Sequence, residues 1–364
     1  MCNPLKFTIM KNIRPILTVS FVLAFLCATA AVWRVNNRPN VDADFSTWNT
    51  AYNAASNGDI IYLEGSPTSY GSITVNKQLT IIGAGYWLDQ NSPTQSYKES
   101  SKLDQVTFSS GSNGSVIEGL EISNTNYNGG SAIAIYNNQT VTIRRNHISV
   151  TTTNSAVGYI GAAIYVNTIT NSTLIEQNWI EAHAAYAGNA VGIRISDYFV
   201  SSTIRNNVIY TDADDKAILI GTENEAASLV LSNNVFMGDL ITSYASHYNN
   251  ILIYGTYTPG PDDLNSNNLC SGTQYPAGNS NQQNVDMTTV FEDYTTYIDN
   301  GYLLKAGSAA IAAGVGGDDC GVFGTGDPYV LSGMPPIPAI IDVEMTQSIG
   351  TTTLPVTVEA KSNN

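Results

Sequence analysis

The chain has 364 residues, of which 43% are hydrophobic, enough apolar material for one elongated domain or two compact ones. Its 30 acidic residues outnumber its 15 basic residues and give a formal net charge of −15. Such a charge repels the phosphates of nucleic acids and anionic membranes, so neither is an expected partner.

The first 30 residues have the order of a secretory signal peptide. Three basic side chains precede an apolar run over residues 16–26, and Ala28-Thr29-Ala30 follows it. The run is shorter than the ~20 residues that a membrane span needs, so we expect export with cleavage near Ala30 and no span in the mature chain. The leader holds three basic and no acidic residues, which leaves a mature net charge of about −18. Only Cys270 and Cys320 then remain to form a disulfide.

The start of the expected mature chain reads as a linker, a short helix and three strands. After a polar linker over residues 31–44, Ser46 can cap a helix whose apolar members lie at helical spacing, namely Trp48, Ala51, Tyr52 and Ala55. Strand patterns follow at 60–63, 72–75 and 79–85.

This start resembles the N-terminal cap of right-handed parallel β-helix proteins of the pectin-lyase-like kind. The resemblance rests on Gly58-Asp59-Ile60-Ile61-Tyr62 followed by Val75-Asn76-Lys77-Gln78-Leu79-Thr80-Ile81-Ile82-Gly83. A stack of parallel strands exposes an apolar core and unpaired backbone groups at its end, and an amphipathic helix covers both.

A repeat follows the cap. An apolar residue, an Asn three positions later and an apolar residue two further recur with starts separated by 32, 29 and 27 residues, in Ile143–Ile148, Ile175–Ile180, Ile204–Ile209 and Leu231–Phe236. An earlier coil begins at Ile117. A period of this length indicates stacked coils. The sequence therefore predicts an all-β fold, a single-stranded right-handed parallel β-helix over residues 45–333 with an N-terminal amphipathic helix cap.

Each later coil also has an earlier strand, and these strands predict a second sheet, the early-strand sheet. Aligning them stacks two apolar columns inside the coils: Ile133, Ile164, Ile193 and Ile218, and Ile135, Val166, Ile195 and Ile220. Their neighbours point outward in two further columns: Ala134, Tyr165, Arg194 and Leu219, and Tyr136, Asn167, Ser196 and Gly221.

Two other columns have structural explanations. We expect the recurrent Asn to occupy a left-handed corner and to form an amide ladder along the axis, in Asn146, Asn178, Asn207 and Asn234. A second column alternates in charge, so it predicts a ladder of ion pairs between Glu118, Arg144, Glu176 and Arg205.

The repeat becomes irregular after Phe236. One more turn is predicted at 264–269 and a closing segment through 306–311 and 319–324. Residues 334–364 read as a Pro-rich linker and a β tail, which folds back on the β-helix or belongs to a partner domain. The ending resembles that of uncharacterised secreted β-helix proteins of the Bacteroidota, a resemblance that implies no activity.

Candidate functional residues lie on the early-strand sheet and the loops before it, where pectin-lyase-like enzymes typically work. Tyrosine rings on an outer sheet face can stack on sugars, so a ligand site is predicted from Tyr136, Tyr165, Tyr186 and His183. The alternative is that tyrosine is simply a good strand residue with one polar end.

The same region suggests a calcium-assisted polysaccharide lyase as an alternative. Arg194 and Lys216 are the candidate catalytic residues, and the candidate calcium ligands are Asp212, Asp214 and Asp215. Aspartate-rich loops are also common as solvated turns. Convergence of Arg194, Lys216 and two of the aspartates in one groove would favour the enzyme.

Other catalytic classes are less supported. Gly317-Asp318-Asp319-Cys320 is similar to the paired-aspartate motif of polygalacturonases, but the remaining motifs of that family are missing, so a lyase is favoured over a hydrolase. Three histidines without ligand spacing make zinc improbable. The preferred prediction is a secreted or cell-surface protein that binds polysaccharide or surface glycan or adheres; a structural spacer is the third alternative.

Overall fold

The computed structural model divides the chain into Met1–Ala31 and Val32–Asn364, and the elements below belong to the second unit. The expected signal peptide lies outside the described residues except for its last one, Ala30. The structure describes residues 30–136, 140–167, 173–196, 201–221, 228–324, 326–345 and 354–362.

Three parallel sheets of ten, eight and eight strands run along the β-helix, and each coil of its central part contributes one strand to each sheet. Sheet 1 contains, in spatial order, β1 (Val32–Val35), β2 (Ile60–Leu63), β4 (Thr80–Ile82), β7 (Ser115–Glu118), β10 (Val141–Arg144), β13 (Thr173–Glu176), β16 (Ser201–Arg205), β19 (Ser228–Ser232), β22 (Ala245–Tyr248) and β25 (Leu264–Ser266). Sheet 2 contains β5 (Lys102–Leu103), β8 (Glu121–Asn126), β11 (His147–Thr152), β14 (Trp179–Ala184), β17 (Val208–Thr211), β20 (Val235–Met237), β23 (Ile251–Tyr254) and β26 (Leu269–Cys270). Sheet 3, the early-strand sheet, contains β3 (Ser72–Val75), β6 (Gln105–Phe108), β9 (Ser131–Ile135), β12 (Gly161–Val166), β15 (Ala190–Ile195), β18 (Lys216–Ile220), β21 (Asp239–Ile241) and β24 (Tyr257–Thr258).

The predicted fold class is confirmed, and so are the predicted inner columns. On sheet 3, Ile164 pairs in register with Ile133 and Ile193, and Val166 pairs with Ile135 and Ile195. All of these side chains are buried in one continuous core between the three sheets. Stacking like residues in every coil removes their apolar surface from water, the main driving force for this architecture.

The one α-helix of the described residues, α1 (Trp48–Ala54), covers the N-terminal end of this core with the buried side chains of Trp48 and Ala51. Its N-cap is Thr47, whose hydroxyl accepts a hydrogen bond from the amide of Thr50, and not Ser46 as predicted. At the other end, Lys77 donates to the carbonyl oxygens of Tyr52 and Ala55 at 2.7 and 2.8 Å, which places a cation where the last carbonyls lack partners.

The expected linker over residues 31–44 contains the first strand of sheet 1. Strand β1 pairs in parallel with β2, with Val35 opposite Leu63 and fully buried. Trp33 packs on Phe45 and donates from its indole nitrogen to Asp59 at 3.1 Å. Four residues of Val-Trp-Arg-Val were too short a pattern to separate from a linker.

The predicted asparagine ladder is present and longer than expected. Successive side-chain amides hydrogen-bond along the axis at 3.0–3.2 Å, through Asn146, Asn178, Asn207, Asn234, Asn250, Asn268 and Asn281. The backbone assignment was wrong by one residue. The left-handed conformation belongs to the preceding residue, at Arg145, Gln177, Asn206, Asn233, Asn249 and Asn267.

The predicted charge ladder on sheet 1 is also present. Arg144 contacts Glu118 at 2.6 Å, and Arg205 contacts Glu176 at the same distance. Both carboxylates are buried beneath partly exposed guanidinium groups. The side chains of Arg144 and Arg205 are therefore paired with carboxylates of neighbouring coils.

A second core lies on the outer face of sheet 2. There an apolar column runs through Trp179, Val208, Val235, Ile251 and Leu269. The closing segment, residues 287–334, covers this column with buried side chains that include Phe291 and Tyr302. It contains four 3₁₀ turns, at Met287–Thr289, Asp299–Tyr302, Val315–Gly317 and Leu331–Gly333.

From residue 313 to 334 the closing segment returns along the corner between sheets 1 and 2, and we call this part the return strap. The left-handed corner residues bind its backbone one after another: Asn267 to Ala313, Asn249 to Val315, Asn233 to Asp319, Asn206 to Val322, Gln177 to Pro328 and Arg145 to Met334. The strap thus runs along the β-helix from the corner after β25 to the corner after β10.

Two features near the C-terminus complete the fold. Cys270 and Cys320 are both buried and free, and Cys320 donates to the carbonyl oxygen of Asn267 at 3.1 Å. The tail forms an antiparallel hairpin of β27 (Ala339–Met345) and β28 (Val356–Lys361), whose strands pair with each other.

Candidate functional site

The outer face of sheet 3 carries an open groove of about 280 Å³. Its floor and walls include three of the predicted site residues, Tyr136, Tyr165 and Arg194, together with the loop Asn128–Ser131, Ile160 and Ala162. The predicted groove residues therefore come from three successive coils.

Period-two alternation in the strands sets the positions of the three side chains. Tyr165 stands in register between Ala134 and Arg194, while its neighbours Ile164 and Val166 point into the core. The rings of Tyr136 and Tyr165 meet edge to face at 6.2 Å, and the Arg194 guanidinium lies 5.4 Å from the centre of the Tyr165 ring. An edge-to-face pair and a cation over a ring are both attractive, so the three groups hold one another in place.

Arg194 remains free to bind a ligand. It forms no salt bridge within the described ranges, in contrast to Arg144 and Arg205 on sheet 1. Beside it the next outward column presents polar groups, and the Ser196 hydroxyl contacts the Asn167 amide oxygen at 3.4 Å. The groove thus combines aromatic faces with the guanidinium donors of Arg194.

Lys216 does not line this groove. It lies opposite Val191 on β15 and opposite Asp239 on β21. The pairing of β18 with β21 shifts in register between Lys216 and Ile218. The predicted pairing of Arg194 and Lys216 as catalytic partners therefore has no counterpart in the groove lining.

The three candidate calcium ligands have separate environments. Asp215 is buried and accepts hydrogen bonds from the amides of Gly188 and Ala190 at 2.7 and 3.0 Å, and burial raises its pKa. Asp212 bonds to His183, and Asp214 is exposed in a left-handed turn conformation. In the part of the chain that the structure describes, no group of three or more His, Cys, Asp or Glu side chains is arranged to hold a metal ion. These residues do not fit a calcium site.

Tyr186 is exposed and lies outside the groove lining. It begins a turn in which the backbone amide of Asn189 donates to the carbonyl oxygen of Tyr186. His183 is also elsewhere, on the outer face of sheet 2. The structure therefore divides the predicted ligand residues between two faces of the β-helix.

A histidine–carboxylate cluster surrounds His183. Its Nδ1 lies 3.1 Å from Asp212, and its Nε2 lies 3.6 Å from Glu181, which also faces His147 at 3.6 Å. The hydrogen bond to Glu181, aided by Asp212, raises the pKa of His183 to about 9 despite partial burial. Burial alone would raise the pKa of Glu181, but the nearby imidazoles of His147 and His183 and the indole N–H of Trp179 outweigh it and lower that pKa.

Two residues of this cluster, Glu181 and Tyr210, were not among the predicted site residues; they lie opposite each other on neighbouring strands. A signal was present: alternation along β14 places Trp179, Glu181 and His183 on one face. It was missed because Asn178-Trp179-Ile180 has apolar residues on both faces, so the outward side could not be identified.

The strand order defines the molecule as a three-sheet parallel β-helix, and comparisons with known proteins add little to that class. No protein-family model matches the chain. No curated protein matches it either. Among solved structures, it is similar to the crystal structure of pectate lyase Pel9A, with 81% of this chain and 96% of that chain covered, 14% sequence identity and a TM-score of 0.42. That enzyme's activity is not transferred to this chain at such similarity.

Within the described ranges, no helix has the length and apolar character needed to cross a membrane.

Proposed function

We propose that the protein is exported, resides outside the cell or on its surface, and binds glycans through the groove of Tyr136, Tyr165 and Arg194. The observation that carries the proposal is the packing of two tyrosine rings and an arginine around one open groove on a solvent-facing sheet, where that arginine forms no salt bridge among the described residues.

The chemistry of the groove suits a saccharide. A pyranose ring presents C–H groups that pack on an aromatic face and hydroxyls that need hydrogen-bond partners. The Arg194 guanidinium supplies several donors in a fixed plane, and Asn167 and Ser196 add neutral polar groups. Since the groups stand on stacked strands, little conformational freedom is lost when a ligand binds.

A glycan array probed with residues 31–364 tests the proposal, followed by calorimetry with the best-binding oligosaccharide. We expect Tyr165→Ala and Arg194→Ala each to weaken binding by at least about tenfold, or ~1.4 kcal/mol. A matched control is Tyr97→Ala, because Tyr97 forms the same kind of pair with Arg38 at 4.0 Å on another surface. Equal binding by Tyr165→Ala and the control would refute the groove as the contact surface.

The alternatives give different results in the same preparation. With uronate polymers and calcium, we expect no rise in the absorbance of unsaturated products. A rise that Arg194→Ala abolishes would support the polysaccharide lyase alternative instead. A protein that binds no glycan on the array would instead support the structural spacer.

A further inference from the structure

A second group of exposed aromatic and titratable side chains lies on the outer face of sheet 2, where the closing segment ends its coverage. Tyr210 stands beside Glu181 on the neighbouring strand, and its ring meets the His183 ring edge to face at 5.5 Å. From the closing segment Tyr297 approaches, with its ring centre 4.8 Å from that of Tyr210. Two separate parts of the chain thus build one surface.

The carboxylate of Asp212 is fixed at the edge of this surface. One of its oxygens bonds to His183, and the other has no hydrogen-bond partner among the described residues. Its side chain is 42% exposed, so the free oxygen can accept from a ligand. His183 is itself held from the opposite side by Glu181.

Tyr297 is held in an unusual backbone conformation. Its φ is +52°, a left-handed value that is uncommon for a bulky residue and costs energy. Despite that cost the residue is 45% exposed and is not part of the second core. Strained residues of this kind cluster at binding sites.

We propose that Tyr210, Tyr297 and Asp212 form a second saccharide site, which binds a neutral sugar unit by ring packing on the tyrosines and by hydroxyl donation to Asp212. An acidic sugar is disfavoured, because its carboxylate would lie beside the carboxylates of Asp212 and Glu181. The ligand class rests on the proposed function, but the residues do not overlap with the groove on sheet 3.

The test uses residues 31–364 and a panel of neutral probes, namely cellohexaose, xylohexaose, mannohexaose and laminarihexaose, with calorimetry at neutral pH. Tyr165→Ala first removes the contribution of the groove. In that background we expect Tyr297→Ala and Asp212→Asn to weaken the remaining binding at least fivefold, while Tyr297→Phe retains it because the ring is preserved. Leu303→Ala, an exposed position in the same segment, serves as the control.

Each outcome decides a different point. Loss of all binding in Tyr165→Ala would overturn the second site and leave the groove as the only one. Binding that survives Tyr165→Ala and is lost in Tyr297→Ala would support the second site. Unchanged binding in Tyr165→Ala and in Tyr297→Ala would overturn both proposals. Absence of binding to every neutral probe would overturn the second site and leave the groove to be judged by the glycan array.

Discussion

At the scale of single residues, six successive corners between sheets 1 and 2, from Arg145-Asn146 to Asn267-Asn268, show two adjacent residues with different tasks. The first adopts the left-handed backbone and turns its side chain to the return strap, whereas the second is buried and joins the asparagine ladder. The sequence predicted the ladder because its Asn recurs at a fixed phase. It could not separate the tasks at Asn206-Asn207 or Asn233-Asn234, since Asn suits both positions.

Asn207→Ala tests the ladder. The Asn207 amide donates to the carbonyl oxygens of Ile175 and Arg205 at 2.9 Å and accepts from Asn178 at 3.0 Å, all in the interior. Because the truncation leaves several buried groups unpaired, we expect a loss of about 3–5 kcal/mol in the free energy of unfolding, measured in urea. The exposed helix substitution Asn53→Ala should change it by less than ~0.5 kcal/mol; similar values for both would contradict a structural ladder.

The protonation of His183 predicts a pH dependence. Its pKa is raised to about 9 from an ordinary 6.5, so the folded protein holds the proton more tightly. The stabilisation is therefore fully present below pH 6.5 and is lost as the pH rises through about 9. We expect the stability advantage of the wild type over His183→Gln to shrink between pH 6.5 and 9.5 in thermal melts. An advantage that is constant over this range would mean that His183 does not bind its proton more tightly when folded.

At the scale of elements, the closing segment is what the sequence predicted least well. Residues 306–311 and 319–324 were predicted to belong to a closing segment, but the surface that this segment covers was not predicted. The outer column of sheet 2, through Trp179, Val208 and Val235, is apolar on the face away from the coil interior, and a strand with two apolar faces requires cover on both. Local alternation does not show which later segment supplies that cover.

Tyr302→Ala tests this packing. The centre of the buried Tyr302 ring lies 5.3 Å from that of Trp179 and 5.5 Å from that of Phe291. The Tyr302 hydroxyl donates to the carbonyl oxygen of Tyr294. We expect truncation to cost about 3–5 kcal/mol locally and to make residues 287–334 sensitive to limited proteolysis while the three sheets persist. Mass spectrometry of the fragments locates the cuts. The neighbouring exposed substitution Leu303→Ala should remain resistant; equal resistance of both variants would contradict the second core.

At the scale of the whole molecule, repeat phase and alternation predicted the sheet and the groove residues Tyr136, Tyr165 and Arg194 together. Lys216 begins β18 of the same sheet but does not line the groove, because it lies at the start of its strand and one coil beyond Arg194. His183 and Asp212 were assigned to loops near the groove, although β14 carries His183 on another sheet. Sequence spacing could not reveal this, because it does not give the direction in which a loop turns.

The central claim is that a saccharide binds on the outer face of sheet 3. A crystal structure of residues 31–364 with the best-binding oligosaccharide tests it most directly. The prediction is a sugar ring packed on Tyr165, with a hydroxyl within hydrogen-bond distance of Arg194. A saccharide bound away from the groove on sheet 3, with that groove empty, would contradict it.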